Sequence, residues 1–274
     1  MKKTLLVLLG ISLAFFAMAQ TNQAVSTDAA PKTEKGPKSK TKKEEAPKLT
    51  GDVIEKTKKQ LLDLSSRPSD HLMIQYGADS WTSRPDSVRT GGFSRHFNIY
   101  FMFDKPFKTN QKMSIAYGIG IGSSNMFFKN TNVDIKSNSA RLPFTNVDSA
   151  NHFSKFKVTT VYAEIPVELR YFSKPEAPEK SWKAAIGMKV GTLLKSYSKG
   201  KNLENKNGAS LYGPGYIIKE SEKRFFNGTM LAVTGRIGYG LVSLDAGYQF
   251  NGVLKDGVGP SMNKFSIGLT ISGL

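Results

Sequence analysis

Glu164, Glu168, Arg170, Lys183, Lys189, Arg236 and Asp245 are the residues whose types and spacing could do chemistry. Each stands in an alternating run, on the parity opposite the branched and aromatic residues, so all seven fall on the polar face of a strand. Three carboxylates and four cations so placed suit two tasks. Lining a wet path, they would pass protons or ions. Packed into a dry interior, they would have to neutralise one another, because buried charges must be paired and hydrogen-bonded.

Other chemistries have less to work with. The three histidines are His71, His96 and His152. His96 shares the polar parity of its run, and His152 lies in a connection with Asp148 and Ser149 nearby. A hydrolase would need serine, histidine and acid to converge, and nothing in their spacing requires it. Cysteine is absent, which removes thiolate metal ligands and thiol catalysis. Gly118, Gly120 and Gly122 alternate within a strand and open no helix, so they form no dinucleotide loop. No catalytic residue, cofactor or metal is expected. The net charge of +17 raises nucleic acid or an anionic lipid surface as partners. No groove-entering helix or aromatic-basic platform accompanies the lysines, so nucleic acid is not expected.

The strands that must position these charges are legible. In Val158–Tyr171 one parity is Val161, Ala163, Ile165, Val167, Leu169 and Tyr171, and the other is Tyr162, Glu164, Pro166, Glu168 and Arg170. Seven further runs alternate in the same way, their apolar parities starting at Leu72, Phe93, Met113, Trp182, Leu231, Val242 and Phe265. A soluble barrel would hide its branched residues behind a charged, glycine-poor exterior. Here the charged parity is thick with glycine, as a narrow barrel needs if long ionic side chains are to fit inside. The apolar parity then faces lipid. Connections alternate between short (104–111, 172–181, 240–241) and mostly much longer (80–92, 123–157, 196–228, 251–262). Outer-membrane barrels are built this way, with short periplasmic turns and long external loops. The expected fold is all-β, an eight-stranded antiparallel transmembrane β-barrel over residues 67–274. Phe103, Tyr171, Trp182 and Tyr239 would form one interfacial girdle, and Trp81, Phe93, Phe127 and Tyr197 the other. Pro166 lacks the N–H of a central strand residue, and a local bulge there is the least costly repair.

Ahead of the barrel, residues 1–19 combine Lys2 and Lys3, an apolar run and Ala17-Met18-Ala19, the pattern of a secretory signal peptide. Residues 20–50 are rich in Lys, Thr, Pro and Ala and are expected to be a disordered basic periplasmic arm. Residues 51–66 read as a short amphipathic helix. Location in the outer membrane follows.

Tyr162–Tyr171, YAEIPVELRY, resembles the EIP…KY strand of the Bacteroidetes-type outer-membrane β-barrel domain, the PorT-like family. The pieces DKPFKTNQKMSIAYGIGIG and KSWKAAIGMKVGTLL resemble that family's third and fifth strands with their turns. The likeness covers roughly His71 to Leu274 and makes Pro166 a family habit. It implies fold and location, points by analogy toward secretion assembly, and transfers no catalytic residue. Members end on an aromatic that the barrel-insertion machinery reads; here Phe265 or Leu274 is the candidate signal. The expected function is a non-enzymatic outer-membrane protein with an envelope structural, export-accessory or surface-binding role. Its partners are outer-membrane lipid, the insertion machinery and an envelope or secretion protein. A small-solute channel and an outer-membrane lipid-modifying enzyme stay open as alternatives.

Overall fold

The computed structural model describes residues 71–273 apart from 87 and 92. The expected signal peptide (1–19), basic arm (20–50) and helix (51–66) lie outside the described residues. Eight long strands carry the fold: β1 (Leu72–Thr82), β2 (Arg95–Pro106), β3 (Met113–Phe128), β6 (His152–Phe172), β7 (Trp182–Glu204), β9 (Thr229–Tyr239), β10 (Val242–Gln249) and β11 (Asn263–Ser272). Three short strands decorate it: β4 (Thr131–Val133), β5 (Phe144–Asn146) and β8 (Ile217–Ser221). Neighbours pair antiparallel in the order β1-β2-β3-β6-β7-β9-β10-β11. The ring closes where β11 returns to β1, from Met73 opposite Ser272 to Thr82 opposite Asn263. A closed sheet leaves no row of unpaired N–H and C=O groups, which is what lets strands cross hydrocarbon.

Exposure decides which face is which. In β6 Ile165 is 54% exposed, Val167 43% and Leu169 40%, whereas Glu164 and Glu168 are 3% exposed and Arg170 1%. The same inversion runs round the ring through Phe97, Ile99, Ile119, Ile121, Ile186, Leu244 and Ile267, all exposed. An apolar outer wall around an ionic interior is stable only with lipid outside.

The two ends differ. Short links, 107–112, 173–181 and 240–241, lie at the end that also holds the start of β1 and the end of β11. Gly240 turns the tightest of them with a φ of 60°, a conformation suited to glycine. Tyr171, Trp182 and Tyr239 are exposed on the outer wall at this end, with Trp182 and Tyr239 in edge contact at 5.6 Å. At the other end the expected loops 123–157 and 196–228 are in large part strand. β6 has 21 residues and β7 has 23, about twice the 9–11 that span a bilayer, so both project well beyond it. Serine, threonine and lysine on the outward parity of these extensions hid them from a reading keyed to apolar alternation.

Two expectations need correction. Trp81 does not join an outer girdle: it is inward-facing, buried, and in edge contact with Phe128 at 5.5 Å. Pro166 is not at a bulge. The β6–β7 register shifts between Val161 and Tyr162, while Pro166 stays in register opposite Lys189. Toward β3 the ladder lapses between the Tyr117–Val167 and Gly120–Glu164 pairs without a change of register. The missing N–H is absorbed as a gap in one ladder, which needs no extra residue.

The chain has two tryptophans, so each can be isolated by replacing the other with phenylalanine. Trp182, 62% exposed on the wall, should be strongly quenched by brominated lipid, and Trp81, 4% exposed, should not. Equal quenching of both would contradict the inside–outside assignment.

Candidate functional site

The interior is filled by three tiers of polar side chains. Nearest the short turns, Glu168 joins two arginines. Its Oε2 accepts from Arg170 Nε at 2.9 Å and from Arg236 Nη2 at 2.8 Å. Arg236 also donates to Ser272 Oγ at 3.0 Å, and Asp104, held by Ser114 at 2.6 Å, lies 3.9 Å from Arg170. Lys183 is buried here with its ammonium 5.3 Å from the centre of the Phe172 ring.

The middle tier is a continuous chain. Tyr100 donates its hydroxyl to Glu164 Oε2 at 2.5 Å. Lys189 donates to that hydroxyl at 2.8 Å and to Gln75 Oε1 at 2.9 Å, which also accepts from Asn98 at 3.2 Å. Gln75 donates to Thr270 at 3.0 Å, and Thr270 donates to Asp245 at 2.8 Å. Lys189 and Glu164 are 3.9 Å apart with Tyr100 between them. Glycine makes this possible. A Cβ on Gly122 would come 2.0 Å from Glu164 Oε1, and one on Gly120 2.5 Å from the Tyr100 ring. A larger residue at Gly122 would push the Glu164 carboxylate aside, and one at Gly120 would meet the Ile99 carbonyl as well as the phenol.

Toward the loop end, Asp79 accepts from Ser124 Oγ and lies 2.8 Å from His96 Nδ1. This is a serine, a histidine and an acid in contact, but the acid sits in the middle. A nucleophilic triad needs the imidazole between serine and acid so that it can take the hydroxyl proton. The other candidates stay apart: His152 Nδ1 meets Ala150 O at 3.2 Å, and Asp148 binds Arg89 at 2.7 Å. Hydrogen bonds from Asn130 first, and then Asn146 and Arg89, hold the Asp148 carboxyl below its ordinary range against the opposing effect of desolvation.

All seven charged residues singled out in the sequence therefore lie within the ring, in two tiers, with Asp245 held by a threonine hydroxyl. Tyr100, Gln75, Asn98, Asp79 and Asp104 belong to the same interior and escaped notice. Their signal was parity: each alternates with apolar wall residues on β1 or β2, as the charged ones do. Two small voids lie along this interior, about 20 Å³ beside His96, Asn98, Glu164 and Lys264 and about 10 Å³ at the short-turn end beside Arg170, Phe172 and Lys183. Neither has room for more than about one water.

Above the tiers lies an apolar cap. Trp81, Met126, Phe128, Phe156 and Val158 point inward from β1, β3 and β6. Val88, Val133, Ile135, Leu142, Phe225, Phe226, Val253, Leu254 and Met262 come to meet them from all four long connections. Backbone bonds tie those connections together: Leu142 N to Val258 O at 2.7 Å and Asn227 N to Val253 O at 3.0 Å. Phe128, Phe156, Phe225 and Phe226 are thus spent on this core, while Tyr212 stays exposed.

A closed antiparallel ring of eight strands, greasy outside and ionic within, defines a transmembrane β-barrel. The chain belongs to the outer membrane protein beta-barrel domain family, whose model matches residues 73–254. The match runs from β1 through β10 into the last long connection, and it makes the outer membrane the expected location. No curated protein matches the chain.

Proposed function

We propose that this protein is a non-conducting, non-enzymatic outer-membrane barrel that works through its folded loop-end surface, in an envelope structural, export-accessory or surface-binding role. The observation that carries this reading is the double filling of the bore: ionic tiers with voids of about 10 and 20 Å³, then an apolar cap contributed by every long connection. A channel needs a continuous wet path, and an eight-stranded barrel leaves room inside for little but side chains. A lipid-modifying enzyme needs an open cleft with an aimed nucleophile, whereas Ser124 is buried and bound to Asp79. What remains accessible is a rigid platform held on a rigid scaffold, where binding functions concentrate. The secretion-accessory version draws on the likeness of YAEIPVELRY to the PorT-like family.

The barrel reconstituted in planar bilayers should give no steady conductance steps under an applied potential, and His96→Ala should leave envelope lipid composition unchanged. Reproducible steps would overturn the closed-barrel reading in favour of a small-solute channel. An altered lipid profile would restore the enzyme.

A further inference from the structure

Like charges rarely face each other across neighbouring strands, because directly opposed side chains come within about 5 Å and repel. On the outward face of the β6–β7–β8 extension they do so repeatedly. Lys157 is opposite Lys199, and Lys199 is opposite Lys219. One register step further out, Lys155 is opposite Lys201. Arg95 and Lys195 lie nearer the apolar wall, beside exposed Phe97 and Leu194. No Asp or Glu occupies the outward parity of these segments, and none of these lysines forms an ion pair with a described carboxylate. Aromatic rings and an amide hold two of the ammonium groups and the Arg95 guanidinium instead. Lys219 lies 4.4 Å over the Tyr197 ring, Lys157 lies 5.8 Å over Phe127 while donating to Asn125 at 2.7 Å, and Arg95 lies 5.3 Å over the same Phe127. Beside this tier, a groove of about 500 Å³ opens at the rim of β2, β3, β6 and β7, lined by Phe93, Arg95, Phe127, Lys129 and Lys155, with Glu204 the one carboxylate on it among the described residues.

We propose that this face binds the phosphorylated headgroup of a membrane glycolipid, with phosphate on Lys157, Lys199 and Lys219 and sugar against Phe93 and Phe127 in the groove. The cations begin where the lipid-facing wall ends, at the depth of headgroups. Repulsion along the lysine row is relieved when an anion bridges it. The groove is large enough for a sugar unit. The proposal rests on the barrel spanning a bilayer with its loop end toward that lipid.

The test is the unfolding temperature of the full chain in phosphatidylcholine vesicles doped with diphosphoryl lipid A or with its dephosphorylated form. The phosphorylated lipid should raise the unfolding temperature by several degrees, and the dephosphorylated lipid should not. K157Q/K199Q/K219Q should lose that rise while matching or exceeding the unmodified protein in undoped vesicles, since its repulsion is gone. K105Q/K174Q/K180Q, which removes equal charge from the short-turn end, should keep the rise. The single exposed change K219Q should weaken lipid co-purification by about fivefold. The idea fails if the lysine triple variant keeps the full rise, if the short-turn variant loses it, if K219Q co-purifies as much lipid, or if inorganic phosphate alone reproduces the shift. A chain that does not insert into either vesicle would instead remove the membrane reading, and this proposal with it.

Discussion

Glu168→Ala should destabilise the barrel by about 3–5 kcal/mol, the usual cost of deleting one partner from a buried ion pair. The reason is what stays behind. Arg170 and Arg236 converge on one carboxylate oxygen, and both guanidinium groups are shielded from solvent. Without Glu168, Arg236 keeps its bond to Ser272 Oγ, and its Nε already has no hydrogen-bond partner among the described residues. Arg170 keeps its ion pair with Asp104, at 3.9 Å, so the larger loss falls on Arg236. The Arg236 guanidinium, left in a low-dielectric interior with the Ser272 hydroxyl, is poorly solvated. Urea titration in vesicles, followed by the gel-mobility difference between folded and unfolded barrels, would measure the loss. Glu168→Gln with Arg236→Met removes one acid and one base, leaves Arg170 with the amide oxygen and Asp104, and should recover most of it, since replacing a buried pair with neutral groups is often close to neutral. Unfolding of Glu168→Ala at the same urea concentration as the unmodified protein would mean that water, not Glu168, solvates these arginines, and that the bore is wet.

That such a network exists was legible because strand parity is unforgiving. A slip of one residue would bring Glu164, Glu168 and Arg170 to the lipid face, so YAEIPVELRY admits one orientation once the ring is granted. Partner choice was not legible. Nothing in the separation of Tyr100 from Glu164, 64 residues apart, announces their 2.5 Å bond, which follows from the stagger of β2, β3 and β6 and the room left by Gly122. Trp81 was misassigned for a related reason. Near a strand's outer end an inward aromatic and a girdle aromatic carry the same local pattern, and only the distant loop residues packed on it tell them apart. The strand extensions are hidden because past the hydrocarbon core the outward face no longer meets lipid tails, and polar residues there, including the lysines of β7 and β8, break the alternation. The wall is written locally, in period two. The cap and the ion pairs are written in contacts between residues far apart in the chain.

Because cap and ring are held by different forces, Phe226→Ala should separate them. Phe226 is fully buried, and truncating such a side chain costs about 3–5 kcal/mol in transfer and cavity terms. The loss should fall on the cap. The ring is closed by eight interstrand ladders and its wall is solvated by lipid, neither of which involves Phe226. The cap depends on packing among Phe225, Phe226, Leu254 and Met262 and on short backbone ties, such as Lys255 N to Phe225 O at 2.9 Å. Local opening should therefore become about a hundredfold more populated or more, with proteolysis within 129–151 and 205–228 accelerating in proportion while cleavage stays slow relative to reclosing. Trp81 emission should shift to the red, and that of Trp182, at the other end, should not. The urea midpoint of the ring should move little. If proteolysis and emission stay unchanged while that midpoint falls by the full amount, cap and ring form one cooperative unit. The loop-end surface would then be an extension of the barrel, not a platform resting on it.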